Sequence, residues 1–345
     1  MDETVSRAPS ATESAEAVPP PVDEPIAKVV GLICNPNSGR NKKHLRRIEE
    51  IVKQCTNIHY VPTASEHDIP VALKCFTELG IDVLAINGGD GTVAHVLTHL
   101  LGNQQFEKLP ALVLLPGGTT NMNVGDVGVP GRIIQVVDKL TQWSRGDIPT
   151  GATETRPILQ VTPGNGSLPL YGMLFGSGAI IQAIEYWHSR VKRSGFRDEF
   201  SSGLAMVRTL WGLVRRDPRF SKPVHMVIVF ENGDNLELDA MLIAVSSMRR
   251  VFLNFSPFWG KESGALHMTV IRDGAKHFLR AVPSVFRGRP NRLVTPESGY
   301  HSHNLDSISL LMSGSFTMDG EIYHVTDDNG PVIIRRYCDL SFIRF

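Results

Sequence analysis

The stretch Ile81-Asp82-Val83-Leu84-Ala85-Ile86-Asn87-Gly88-Gly89-Asp90-Gly91-Thr92-Val93-Ala94-His95-Val96-Leu97 decides the fold. An apolar run of strand length passes through glycines into a helical pattern. Strand, glycine turn and helix N-terminus make a natural anion site, because free backbone N–H groups and the positive end of the helix dipole face one point. Asp90 stands inside that loop. A carboxylate there repels phosphate unless it holds a proton, a metal ion or a hydroxyl awaiting attack, so it points to phosphoryl transfer. The competing reading is a helix N-cap, for which Asp is a favoured residue.

Outward from this stretch, strand and helix alternate from residue 28 to about 148. The run 28–34 is a continuous apolar strand, as a parallel sheet covered on both faces requires. A basic amphipathic helix with Leu45, Ile48, Ile51 and Val52 on one face follows. A strand at 58–61, helices at 70–79, from the glycine loop to Leu101 and at 131–143, and a strand at 112–115 complete a doubly wound α/β domain over 26–150. After Gly151 the pattern changes. Helices near 179–191 and 199–216 interrupt β-rich segments, and 224–231 and 236–245 flank the turn Asn232-Gly233-Asp234. Further strands are expected at 265–272, 306–312, 321–326 and 331–345, with a helix near 275–286, giving a mainly antiparallel second domain over 151–345.

Composition narrows the classes. The 35 basic and 35 acidic residues balance, so no global field advertises a nucleic acid partner. Four scattered cysteines carry neither zinc spacing nor a disulfide framework, which fits a reducing, cytoplasmic setting. Residues 1–25, acidic and rich in Ala, Ser and Pro, read as a disordered tail and not as a secretory signal. No apolar run approaches the ~20 residues that span a bilayer, so a soluble or peripheral protein is expected.

Three strand ends carry small-residue loops: Asn35-Pro36-Asn37-Ser38-Gly39, Gly88–Thr92, and Pro116-Gly117-Gly118-Thr119-Thr120-Asn121. Ligands of open α/β sheets bind at the carboxyl ends of the strands, so three such loops on one edge would form a nucleotide cleft. Asn35, Ser38, Thr119 and Asn121 offer side-chain hydrogen bonds, and Gly39 allows close backbone approach. Ordinary βα turns use the same residue types. The segment 89–94 satisfies G-x-G-x-x-A, but no acidic residue ends the following strand to hold a ribose, and the Gly-Lys-Ser/Thr of a P-loop is missing. Arg40, Lys42 and Lys43 follow the first loop and could meet phosphate, although a solvated basic face explains the lysines better. Downstream, Asp319-Gly320-Glu321 reads as a hairpin turn that, folded over the cleft, could supply a general base.

Together, Asn35-Pro36-x-Ser38-Gly39, Gly88-Gly89-Asp90-Gly91-Thr92, Pro116-x-Gly118-Thr119-x-Asn121 and Asp319-Gly320-Glu321, in this order, resemble the diacylglycerol kinase catalytic-domain family, which includes bacterial lipid kinases and sphingosine and ceramide kinases. The glycine-loop core is shared with phosphofructokinases and NAD kinases. The opening Asn-Pro-x-Ser-Gly and the terminal Asp-Gly-Glu select the lipid kinases. The resemblance implies ATP-dependent phosphorylation of a lipid hydroxyl with Mg²⁺ on the phosphates, and a β-sandwich-like second domain with lipid near the cleft. It implies ATP contacts from the first loop, from the glycine loop, and from Thr63 and Thr119. Glu321 matches the proton acceptor of bacterial members, whereas sphingosine kinases favour the acid matching Asp90; Asp319 completes the acidic set. A lipid alcohol would be the partner, with peripheral membrane contact, no nucleic acid and the option of a homodimer.

The chain departs from the pattern at three places. Met122 follows Asn121 where members often carry Asp, with Asp126 a candidate substitute. Ala94-His95 replaces a frequent Asn-Glu, and Ser263-Gly264-Ala265-Leu266 lacks the aspartate of an accessory magnesium turn. Other features have plainer readings. His301-Ser302-His303 is a loop pair; Phe252, Phe255, Phe258 and Trp259 are core or an apolar pocket wall. The basic clusters Arg190/Lys192/Arg193, Arg215/Arg216 and Arg287/Arg289/Arg292 are solvated faces or membrane-docking sites. The competing functions are a nucleotide- or lipid-binding regulator that has lost catalysis, and an NAD kinase-like small-molecule kinase.

Overall fold

The computed structural model describes residues 27–194, 212, 222–251 and 255–345. The tail 1–25, the helix expected at 199–216, Phe252 and the side chains of the clusters at 190–193 and 215–216 lie outside the described residues.

The first half runs β1 (Val30–Cys34), α1 (Asn41–Val52), β2 (Ile58–Pro62), α2 (Asp68–Leu79), β3 (Val83–Gly88), α3 (Asp90–Gly102), β4 (Ala111–Pro116), α4 (Met122–Val127) and α5 (Ile133–Arg145). β1 and β3 are wholly buried, as their unbroken apolar sequences require. Strands order β2-β1-β3-β4, all parallel, with Val30 opposite both Ile58 and Val83, and Leu84 opposite Leu112. Alternate strand residues face opposite sides. Leu84, Ile86, Leu112 and Leu114 therefore join one core with Leu73 and Phe76 of α2 and Val93 and Leu97 of α3. Their neighbours Val83, Ala85, Val113 and Leu115 join a second core with Ile48 of α1 and Val137 and Leu140 of α5. Helices cover both faces, and every β-to-α loop leaves the same edge.

The second half runs β5 (Ala152–Thr162), β6 (Leu170–Gly172), β7 (Leu174–Gly178), α6 (Ala179–Ser194), β8 (Val224–Phe230), β9 (Asn235–Ser246), β10 (Leu266–Arg272), α7 (Phe278–Phe286), β11 (Tyr300–Leu305), β12 (Ser307–Met312), β13 (Gly314–Met318), β14 (Glu321–Val325) and β15 (Val332–Arg344). Among the described residues its strands pair antiparallel throughout: β8 with β9 across the Asn-Gly-Asp turn, and β13 with β14 across Asp319-Gly320. β5, β6, β7, β11 and β13 join the strands expected from the sequence, and α4 joins the helices.

β15 ties the halves together. Its first residues pair with β12, its whole length pairs antiparallel with β5, and Phe342 lies parallel to Leu112 of β4. The expected boundary near residue 150 falls between α5 and β5, yet β15 lies against the first sheet. Leu340 and Phe342 enter the α2–α3 core, and Phe345 stacks on Trp143 of α5 with ring centroids 5.3 Å apart. Among the described residues, no helix is long and apolar enough to cross a membrane.

Candidate active site

The parallel order brings the carboxyl ends of β1, β2, β3 and β4 side by side, and the three loops touch. Asn35 donates from Nδ2 to the Thr92 hydroxyl at 2.9 Å, joining the first loop to the first turn of α3. Asn37 receives its place from Asn35, whose Oδ1 accepts the Asn37 N–H, and reaches the Ala64 carbonyl after β2. The Ser38 N–H closes the turn on the Asn35 carbonyl, and Pro36 is half-buried in it. Arg40 N–H donates to the Gly117 carbonyl, and Gly39 lies against the Thr119 hydroxyl, so the first and third loops meet. The second and third loops meet backbone to backbone: a Cβ on Gly118 would stand 2.5 Å from the Gly89 Cα. Gly88 is covered by the Thr92 side chain.

Beneath the loops lies a layer of asparagines that the sequence reading missed. Asn41, fully buried, donates to the carbonyls of both Asn35 and Asn87, at 2.9 and 3.0 Å. Asn87 donates to the Cys34 sulfur, and burial pushes that thiol up to about 11. Thr63, at the end of β2, is buried with its hydroxyl unpaired. In the third loop Asn121 takes a left-handed conformation and exchanges two hydrogen bonds with the Gly118 backbone, which fixes the turn carrying Thr119.

Asp90 is the first residue of α3, after Gly89, and it caps a different helix. Its carboxylate accepts the backbone N–H groups of Met122 and Asn123 at 3.0 and 2.9 Å, the open N-terminus of α4. Burial pushes its carboxyl above the ordinary range, against the pull of those two donors. The N-terminus of α3 carries no side-chain cap of its own. Its first N–H groups are therefore left for an anion.

The acidic turn closes over this point. Asp319 (φ +48°) and Gly320 (φ +100°) form a two-residue hairpin with left-handed backbone at both positions, the geometry an Asp-Gly pair suits. The turn sets Glu321, exposed, with its Oε1 against Gly91; a Cβ at that glycine would take the place of the carboxylate oxygen. Asp319 points the other way and is buried. It accepts the Met173 N–H at 3.0 Å, and its carboxyl lies beside the Asn123 side-chain amide. Burial pushes the Asp319 carboxyl up to about 8, opposed by the Met173 donor and reinforced by the charge of Asp90.

One expectation changes. Asp126 does not replace the carboxylate missing at Met122: it is buried in an ion pair with Arg156 of β5 at 2.9 Å. His95 lies one turn along α3 from Gly91 and, with His99, faces the Glu66 carboxylate at 3.2 and 3.5 Å, a cluster at the mouth that spacing alone did not mark. The turn at Ser263 is built on Asp306, whose carboxylate accepts the Ala265 N–H. His303 pairs with Glu262, and among the described residues no group of three His, Cys, Asp or Glu could hold a metal. Mg²⁺ that rides on nucleotide phosphates needs only one or two protein carboxylates. Glu321, exposed at the uncapped helix end, offers one such carboxylate, so the residues present fit that arrangement.

Comparison with known proteins agrees with this geometry. Residues 29–152 match the model of the diacylglycerol kinase catalytic domain. A curated relative, the probable lipid kinase YegS-like of Enterobacter sp. (strain 638), is 30% identical over 99 residues, 29% of this chain and 33% of its own length, so the match spans about a third of that protein. Two crystal structures assigned as a diacylglycerol kinase of Bacillus anthracis str. Sterne share the fold. They have TM-scores of 0.62 and 0.58 at 19% and 18% identity, each covering 92% of this chain and 96% of the other. The segment carrying the three loops, residues 29–152, is thus the part of the chain that is similar to the diacylglycerol kinase catalytic domain.

Proposed function

We propose that the protein transfers the γ-phosphoryl group of ATP to the hydroxyl of a lipid alcohol, of which a diacylglycerol is the leading example. One observation carries the reading: the Glu321 carboxylate rests on Gly91 at the uncapped N-terminus of α3, where three polar loops converge. Backbone N–H groups of α3 and the third loop hold the phosphates, with Asn35, Asn37, Ser38, Thr63, Thr92 and Thr119 around the nucleotide. Mg²⁺ would neutralise charge on the phosphates. Phosphoryl transfer asks mainly for positioning and charge stabilisation, which a loop-built site supplies.

Glu321 is the acceptor's base. It is exposed on the cleft side, whereas both oxygens of Asp90 are committed to α4 and Asp319 is buried. Asp90 and Asp319 are then positioning residues, Asp90 holding the third loop to the second and Asp319 holding the hairpin to β7.

Incubation with ATP labelled in its γ-phosphate and a panel of lipid alcohols, with NAD as a further acceptor, tests the reading. A labelled lipid is expected with the wild type. Glu321→Gln should lose about 10²- to 10⁴-fold in rate, the usual contribution of a general base, with an unchanged melting temperature. Asp90→Asn should lose both rate and stability, because an amide cannot accept both α4 donors. Label on NAD alone, or ATP bound with no product from any acceptor, would defeat the proposal.

A further inference from the structure

The chain is neutral overall, but residues 272–292 are not: Arg272, Lys276, Arg280, Arg287, Arg289 and Arg292 face a single carboxylate, Asp273. All six cations are exposed. The segment is firmly built. α7 buries Ala281 and Val285 against Ile271, Val294 and Tyr300, and Phe286 stacks on Phe255 with centroids 4.5 Å apart. The Tyr300 hydroxyl donates to the Lys276 carbonyl at 2.9 Å, pinning the approach to the helix. On the outward face of that fixed helix, Leu279 is 63% exposed and Pro283 is exposed one turn on, with Arg280 and Arg287 beside them.

From this we infer that the outer face of α7 is a docking surface for anionic bilayers, with Leu279 entering the interface and Arg280, Arg287, Arg289 and Arg292 on the head groups. A short amphipathic helix with apolar residues outward and arginines around them lies in a membrane interface, and its charges favour anionic lipid. A nucleic acid backbone would use the arginines but leave Leu279 in water. The place of the surface fits a lipid acceptor. α7 shares an apolar core with Ala179 at the start of α6, which follows the last residue of β7, whereas Leu174 at the other end of β7 accepts the Asp319 N–H. The acidic turn and the core beneath the docking face thus meet opposite ends of one strand, about 13 Å apart. Only this last point rests on the lipid-kinase reading. The charge and exposure stand without it.

The test is flotation of the full chain with phosphatidylcholine vesicles and with vesicles carrying about 30 mol% phosphatidylglycerol, an anionic surface of the kind basic residues sense. Binding to the anionic vesicles alone is expected, weakened by salt. Each arginine removed should cost about fivefold in vesicle affinity, so Arg280→Gln/Arg287→Gln/Arg289→Gln should lose on the order of a hundredfold. Leu279→Ser should weaken binding in a manner salt does not reproduce. As a check independent of these variants, an environment-sensitive dye on Leu279→Cys, in a Cys75→Ser background because Cys75 is exposed, should shift to the blue with anionic vesicles. Flotation needs no turnover, so a chain without kinase activity that still floats would defeat the catalytic reading and keep this one. Equal binding to both vesicle types, unchanged binding by the triple variant, a dye that does not respond, or preference for duplex DNA over anionic vesicles would overturn it.

Discussion

Asp319 is an acid held where its charge is unwelcome. Folding raises its carboxyl from the ordinary 3.8 to about 8, chiefly through burial. Between those values the folded chain keeps a proton that the unfolded chain has released, so stability falls as pH rises. The slope from this group reaches about 1.4 kcal/mol per pH unit. Asp319→Asn should remove that slope while its side-chain oxygen still accepts the Met173 N–H. Urea midpoints followed between about pH 4 and about pH 8 should fall for the wild type and stay flatter for the variant. Equal slopes would show that the proton sits elsewhere. At this scale the sequence was partly legible. Asp90 read both as a cap and as chemistry, and it is indeed a cap, but of α4, a helix that comes 32 residues later. Spacing cannot reveal such a partner, because the contact is made by the sheet and not by the local chain.

α4 shows why some elements stayed hidden. Six residues, Met-Asn-Val-Gly-Asp-Val, with a glycine inside, carry too short a pattern to announce a helix. Tertiary contacts supply what propensity lacks: Asp90 at its N-terminus and the buried Asp126–Arg156 pair along its length. Arg156→Met would leave Asp126 buried without its partner, at a cost of about 3–5 kcal/mol. Adding Asp126→Leu should recover much of it. Denaturant unfolding of the single and double variants checks both numbers. A single variant as stable as the wild type would mean that the pair is solvated. The strands β5, β7 and β13 escaped for another reason. They mix polar residues, prolines and glycines with apolar ones, and only pairing with β15, β9 and β14 makes them strands.

For the whole molecule the alternating strands and helices from 28 to 148 and the antiparallel grammar beyond them were readable, since each rests on a local hydrophobic period. The return of β15 to the first sheet was not, because a strand reads the same whichever neighbour it joins. That return makes the halves depend on one another. Removal of residues 337–345 would take Phe342 from β4, Leu340 from the α2–α3 core and Phe345 from Trp143. Both halves should then melt earlier, and nucleotide binding should fail although every loop residue is present. Calorimetry of the intact chain should accordingly show one transition. Two well-separated transitions, with the first half unaffected by the truncation, would refute this coupling.

The same return strand also sets a timetable for synthesis. When Leu112 leaves the ribosome, the edge of β4 that will receive Phe342 has no partner, and it must wait until the strand bearing that residue has been made. At about 5–20 residues per second the wait lasts on the order of ten seconds or more. Throughout it the nascent chain presents an open sheet edge, the kind that invites pairing with other chains. Production at speed or at high temperature should therefore be limited less by the finished protein's stability than by what guards β4 until β15 arrives.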